Sequence, residues 1–255
     1  MINASSICIV CDNELKMNEA TLFSSENGLP LLTNKNSQFA LQLCYGEKIT
    51  ELYDSQLNTS ISVDYISGTL DHRRQFGGGR GQAIARAIGL KQGKTPTVLD
   101  ATAGLARDAF VLASLGCKIT LIEQSPILFT LINDGIKRAM ASEKIDSIIG
   151  NFTNLVNADS RLYLEHMDQN SKPDVIYIDP MFPERKKSAL VKKDMQILQQ
   201  LLGHNNNSVV LLETALSYTK NRVVVKRPAH ANPLSEQTPD TSINGKKTRY
   251  DIYFA

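Results

Sequence analysis

From about residue 96 onward, short apolar runs alternate with longer stretches in which apolar positions recur every three or four residues. Runs of the first kind, bounded by small residues, read as buried strands; spacing of the second kind reads as helix. PTVLDATAG (96–104) is a strand ending in small residues, ARDAFVLASLG (106–116) a helix closed by Gly116, and CKITLIEQ (117–124) a second strand. SPILFTLINDGIKRAMA (125–141) follows as a helix, with Ser125 placed to cap it and Pro126 suited to its first turn. A strand near LVNADS (155–160), a helix through RLYLEHM (161–167) and a strand in PDVIYIDP (173–180) continue the series. Strand and helix in repeated alternation predict an α/β fold with a mostly parallel sheet covered on both faces. Beyond it we expect a helix over 188–203, a strand over SVVLLETAL (208–216), and two closing strands, VVVKRP (223–228) and TRYDIYFA (248–255). The last two follow one another without a helix and predict an antiparallel pair; their polar connection, with Pro228, Pro233, Pro239 and Gly245, is long enough to suggest a functional role.

The first 65 residues differ. Apolar stretches at 7–10, 29–32 and 39–43 sit between Asn, Ser and Gly, which predicts a small α+β domain of short strands with some helix. Three segments are therefore expected: this domain over 1–65, a basic Gly-rich linker and helix over 66–94, and the α/β domain over 95–255. The length of 255 residues, 42% hydrophobic and 21% charged, suits a globular chain with a substantial core. No apolar run reaches membrane-spanning length, and the N-terminal stretch has no basic region ahead of an apolar one, so a cytoplasmic protein is the expectation. Cys8, Cys11, Cys44 and Cys117 lack the spacing of a disulfide framework and are read as free thiols; Cys8-x-x-Cys11 has no second pair to complete a zinc site, and no metal is expected.

The net charge of +2 says little, but its distribution is uneven. Residues 1–70 carry 3 Lys+Arg against 8 Asp+Glu, while residues 71–95 carry 6 against 1. Arg73, Arg74 and Arg80 flank three adjacent glycines in HRRQFGGGRGQ, and further basic residues gather at Arg185, Lys186, Lys187 and at Lys226, Arg227. Each group alone reads as a solvated loop or helix face, but Arg185, Lys186, Lys187 and Lys226, Arg227 lie at or after strand ends and are expected to converge on the rim beyond the sheet, where with Arg73, Arg74 and Arg80 they would bind the phosphates of a polyanion.

The chemistry concentrates where strands end. DATAGLARDAF (100–110) joins the first α/β strand to its helix, with Asp100, Gly104, Arg107 and Asp108 at a turn whose small residues admit a ligand to the backbone. G-x-G-x-x-G is absent, which disfavours a nicotinamide or flavin enzyme. The second strand ends in Glu123-Gln124, where a carboxylate can accept ribose hydroxyls; the third ends in Asp159-Ser160 and the fourth in Asp179. Ligands of open α/β sheets bind beyond the carboxyl ends of the strands, so these residues share one crevice.

The fourth strand end, IDPMFPER, resembles the D-P-P-Y motif of amino-group methyltransferases, with Met181 for the second Pro and Phe182 for the Tyr. There Asp179 and the Pro180 carbonyl would accept the two hydrogens of an exocyclic amine, and Phe182 would stack on the base. Together with HRRQFGGGRGQAIARAIG, DATAGLARDAF, LIEQSP, VVVKRP and GKKTRYDIYF, the chain resembles the class I S-adenosylmethionine (SAM)-dependent methyltransferases, and more narrowly the ribosomal RNA small subunit methyltransferase J family, over roughly residues 60–255. The resemblance implies a Rossmann-like sheet with an antiparallel last strand, SAM as cofactor, and methylation of the exocyclic N2 of one guanine in 16S rRNA. It implies that Arg107 and Asp108 contact the amino-acid end of the cofactor, Glu123 and Gln124 the ribose region, Asp159 and Ser160 the adenine, and that Asp179 lies between cofactor and substrate. The family usually carries Gly where this chain has Ala106. Two other readings stay open at this point: a methyltransferase of another amine, in DNA, protein or a small molecule, and a non-catalytic RNA-binding protein on the same fold.

Overall fold

The structure is a computed structural model that describes residues 6–67, 70, 72, 77–91, 93–181, 193–203 and 208–255. Contacts divide the chain into two compact units, one of residues 1–63, 130–135 and 181–205, the other of residues 64–129, 136–180 and 206–255.

The first unit holds strands β1 (Ile7–Val10), β2 (Leu31–Leu32), β3 (Leu41–Tyr45), β4 (Thr50–Asp54) and β5 (Thr59–Ile61) in the sheet order β2-β1-β3-β4-β5. Helix α1 (Glu14–Asn27) starts where the Asn13 side chain accepts the Leu15 N–H and stops at Gly28, whose φ of 63° is the left-handed conformation glycine adopts without strain. Cys8 and Cys44 pack with Val10 between β1 and β3, and all four cysteines are buried free thiols. Asp134 accepts from Lys16 Nζ at 3.2 Å and from Thr50 Oγ1 at 2.9 Å. The next residue, Gly135, lies against Val63 so closely that an added Cβ would stand 2.6 Å from Cγ1, which is why glycine occupies a helix interior there.

The second unit is built on a seven-stranded sheet ordered β11-β12-β10-β9-β6-β7-β8, with β6 (Val98–Asp100), β7 (Ile119–Glu123), β8 (Phe152–Asn157), β9 (Val175–Ile178), β10 (Arg222–Pro228), β11 (Thr241–Asn244) and β12 (Thr248–Phe254). Strands β6 to β10 are parallel to one another, and β12 runs antiparallel between β10 and β11. The helices are α2 (Ala83–Ala87), α3 (Arg107–Ser114), α4 (Pro126–Met140), α5 (Asp146–Ile149), α6 (Ser160–Glu165), α7 (Lys193–Leu202) and α8 (Ser208–Tyr218); α7 lies wholly within the first unit and the middle of α4 is counted with it. Ser125 caps α4 through the Leu128 N–H, with Pro126 in the first turn, and Asp159 caps α6.

One expected element is corrected. SVVLLETAL is not a strand but most of α8, whose Leu212 and Ala215 are buried three residues apart against the sheet, with Leu211 and Leu216 beside them. The β-branched start of the segment resembles a strand, but β9 and β10 are parallel neighbours, and joining them requires a crossover that a helix provides. The polar connection before the last strand also contains β11, paired with β12 from Thr241↔Ile252 to Asn244↔Arg249.

Alternation along the strands sorts their side chains onto two buried faces, and the polar groups fall at the strand ends of one of them. Leu99, Ile122, Ile176, Ile178, Val223 and Val225 point to one face and pack with Leu164 of α6 and Leu212 and Ala215 of α8. Their neighbours in sequence point to the other. Asp100 is in register with Tyr177 and with Leu121, and Glu123 with Asn157, so these side chains share the second face. A slip of one residue would exchange the faces, and the wholly apolar face forbids it.

Candidate active site

The crevice begins at the turn from β6 into α3. Thr102 N–H donates to Asp100 Oδ1 at 3.1 Å and Ala103 N–H to the Ile122 carbonyl at 3.1 Å. Gly104 and Ala106 both take left-handed backbone, φ 59° and 51°. A positive φ is ordinary for Gly104, whereas at Ala106 it is borne by a residue with a Cβ. Ala106 is also the N-cap of α3 and offers its first N–H groups no side-chain acceptor, which leaves that helix start suited to an anionic group. Arg107, exposed, is the first residue of α3.

Glu123 closes the turn from the neighbouring strand. It is buried, and its two oxygens accept separate backbone hydrogens, Oε2 from Gly104 N–H at 2.7 Å and Oε1 from Ser125 N–H at 2.8 Å. Burial pushes its carboxyl up to about 7 against the pull of these hydrogen bonds. Each oxygen keeps a further lone pair, so a vicinal diol can be bound without displacing either N–H. Gln124 beside it is exposed. At the end of β8, Asp159 accepts from Arg161 and Leu162 N–H at 2.9 and 3.1 Å, while the buried Ser160 hydroxyl donates to the Ala101 carbonyl at 2.5 Å, tying α6 to the turn after β6. Asp100 lies beneath; burial pushes its carboxyl up to about 8, and the charges of Asp108, Asp179 and Glu123 add to the effect.

The other half of the crevice is an ionic network. The register Val225↔Ile178 brings the next residues of β10 and β9, Lys226 and Asp179, to one end of the sheet. Lys226 Nζ lies 2.7 Å from Asp179 Oδ2 and 2.8 Å from Asp108 Oδ2, and Asp108 Oδ2 also accepts the buried Tyr177 hydroxyl at 2.8 Å. Asp179 N–H donates to Thr102 Oγ1 at 2.7 Å, fixing the strand end against the β6 turn. The two carboxylates hold Lys226 as a cation, its pKa raised above the ordinary lysine value against the opposing effect of burial. Pro180 follows Asp179 and is buried.

The structure thus gathers Asp100, Gly104, Glu123, Asp108, Asp179 and Lys226 about the ends of β6, β7, β9 and β10. Other expected residues have different surroundings. Arg227 is buried and donates to the carbonyls of Asn232 and Pro233, so it holds the connection to β11 instead of facing outward. Arg80 is exposed and donates to the Lys91 carbonyl at 2.9 Å. Arg73, Arg74, Phe182, Arg185, Lys186 and Lys187 lie outside the described residues. Sequence reasoning missed Tyr177 and Thr102. The signal for Tyr177 was present, since it stands two residues before Asp179 on a strand and must share its face. Among the described residues no group of His, Cys, Asp and Glu is arranged to hold a metal ion, and no helix is long and apolar enough to cross a membrane.

The family described as "Putative SAM-dependent methyltransferase" matches residues 25–255. A crystal structure of a SAM-dependent methyltransferase from Neisseria gonorrhoeae superposes with a TM-score of 0.75 at 32% identity, covering 96% of this chain and 95% of that one. The fold and the crevice are therefore of the Rossmann-like SAM-dependent methyltransferase class. Two relatives named ribosomal RNA small subunit methyltransferase J narrow it: that of Colwellia psychrerythraea is 51% identical over 84% of this chain and 75% of its own, and that of Photobacterium profundum 43% identical over 97% of each. The chain belongs to the ribosomal RNA small subunit methyltransferase J family.

Proposed function

We propose that this protein transfers a methyl group from SAM to the exocyclic N2 amine of a guanine in the 16S rRNA of the small ribosomal subunit. The observation that carries the reading is the strand end Asp179-Pro180, which lies in one crevice with Glu123 and the Gly104 turn in a chain whose relatives are named small-subunit rRNA methyltransferases.

The residues present fit the cofactor. Glu123, held by two N–H donors with lone pairs to spare, suits the ribose diol; the start of α3 with Arg107 suits the carboxylate of the amino-acid end; Gln124, Asp159 and Ser160 border the adenine side. Asp100, Gly104 and Asp108 shape the floor between them. SAM supplies a methyl group already activated as a sulfonium, so no metal and no covalent enzyme intermediate is required.

The work of the chain is alignment. An exocyclic amine is a weak nucleophile because its lone pair is delocalised into the ring. Asp179 and the Pro180 carbonyl accept its two hydrogens, which withdraws the nitrogen from the ring plane and aims its lone pair, and Phe182 stacks on the flipped base. As the new N–C bond forms, the S–C bond breaks; the methylated amine then passes one proton to water, so no strong base is needed. In this reading residues 95–255 carry the chemistry, Arg73, Arg74, Arg80, Arg185, Lys186 and Lys187 contact RNA phosphates, and the enzyme works in the cytoplasm.

The test is incubation of purified protein with radiolabelled SAM and small subunits lacking the modification, beside mature subunits, free rRNA and DNA. The expected result is label on a guanine N2 of the unmodified 16S rRNA. Cofactor binding without label on any nucleic acid would reject the substrate assignment.

A further inference from the structure

Lys226 was expected, from its place in a basic pair, to meet RNA phosphate. Its surroundings assign it a different part. Side-chain exposure rises along the network from Asp108 at 9% through Lys226 at 24% to Asp179 at 37%. The ammonium is the middle member: behind it Asp108 is anchored by Tyr177, and in front of it stands the carboxylate nearest solvent. A lysine that meets a phosphate would be the outermost group, free of inward partners; this one is committed at 2.7 and 2.8 Å to two acids.

We propose that Lys226 is a positioning residue for Asp179, holding its carboxylate ionised and engaging Oδ2 so that Oδ1 is presented to the substrate amine, with Asp108 and Tyr177 as the anchor. This rests on the amine-directed reading above. The groups that face Asp179 give the lysine its task. Among the described residues, Asp108 from α3 and Asp100 from β6 are carboxyls and Tyr177 from β9 is a phenol; one step further out, Glu123 from β7 acts on Asp100, Tyr250 from β12 on Tyr177, and Tyr250 stands in register with Lys226. Burial and Asp108 push the Asp179 carboxyl up, and Lys226 opposes both. Without the ammonium, Asp179 retains its proton to higher pH, and a protonated carboxyl no longer offers two acceptor oxygens.

Two measurements on the full chain test this. The first needs no substrate: with ¹³C-labelled aspartate, the Asp179 carboxyl is assigned by Asp179→Asn and titrated by NMR in the wild type, Lys226→Met and Lys226→Arg. The Asp179 midpoint should rise by about one pH unit or more in Lys226→Met and stay near the wild-type value in Lys226→Arg; an unmoved midpoint in Lys226→Met overturns the assignment. Lys226→Gln replaces Lys226→Met should the latter not fold. The second is methylation of small subunits lacking the modification. Lys226→Met should lower kcat by about tenfold or more, leave KM for SAM and for subunits within about threefold, and move the acid limb of the kcat profile upward, with Lys226→Arg restoring much of the rate. A loss confined to KM for subunits, with the acid limb in place, would make Lys226 a phosphate contact and overturn the proposal. Absence of label with the wild-type enzyme overturns the substrate reading and the amine-facing role with it, whereas an unmoved midpoint overturns the role of Lys226 alone.

Discussion

The two faces of the central sheet are made by the same strands and are both apolar along most of their length, yet they differ at the strand ends. Leu99 and Asp100, Ile122 and Glu123, Ile178 and Asp179, Val225 and Lys226 are neighbours in sequence; the first of each pair belongs to a dry core under α6 and α8, the second to the polar crevice. On the core face each buried side chain contributes about 1.5–3 kcal/mol by leaving water. On the crevice face, burial works against the charged groups, and the raised carboxyls of Asp100 and Glu123 record the cost. The comparison teaches that strand alternation lets one element stabilise the fold and carry chemistry at once, and that the chemistry falls on the last residues of the strands, where backbone N–H groups and the α3 start become available.

Changes on the crevice face should therefore alter turnover or pH response and spare the fold. The largest effect expected is that of Asp179→Ala, which should lower methylation of unmodified small subunits by about 100- to 1000-fold with an unchanged circular dichroism spectrum and melting curve. Next is Asp100→Asn. The folded state holds the Asp100 proton up to about pH 8, while the unfolded chain releases it near the ordinary value of about 4, so wild-type stability declines as pH rises between them. The substitution should remove that decline, so the unfolding free energy of Asp100→Asn should stay level between pH 4 and pH 8 while that of the wild type falls, as read by urea denaturation at the two pH values.

A smaller effect concerns Glu123. Its carboxyl, raised to about 7, must be ionised to accept both ribose hydroxyls, so SAM affinity should fall by about tenfold from pH 8 to pH 6 in calorimetric titrations. A flat profile would detach Glu123 from the cofactor. Smallest is Arg80→Ala, on neither face: stability should stay within about 0.5 kcal/mol, and the salt dependence of RNA binding should weaken by about one charge.

Much of this was legible in the sequence, and the boundary of legibility is physical. Strands ending in Asp100, Glu123 and Asp179, and the Ser125-Pro126 helix start, are local features written in consecutive residues. The helix α8 was not legible, because its run of Val209 to Leu212 has the β-branched, continuous apolar character of a buried strand; only the parallel pairing of β9 with β10, a tertiary fact, decides it. Lys226 and Arg227 read as one basic pair, yet alternation sends one into the crevice and the other to a loop. Their difference depends on partners distant in the chain, since Asp179 and Asp108 lie 47 and 118 residues from Lys226. The left-handed turn was half visible: Gly104 announces it, and Ala106 conceals it.

The most direct test of the division between the faces is a paired measurement on two adjacent residues, Ile178→Ala and Asp179→Ala, with unfolding free energy and single-turnover methylation determined for each. Ile178→Ala should lose about 2–5 kcal/mol of stability and retain most of its turnover per folded molecule, while Asp179→Ala keeps its stability and loses turnover. Comparable losses of stability in both variants, or methylation by Asp179→Ala at the wild-type rate, would contradict the account.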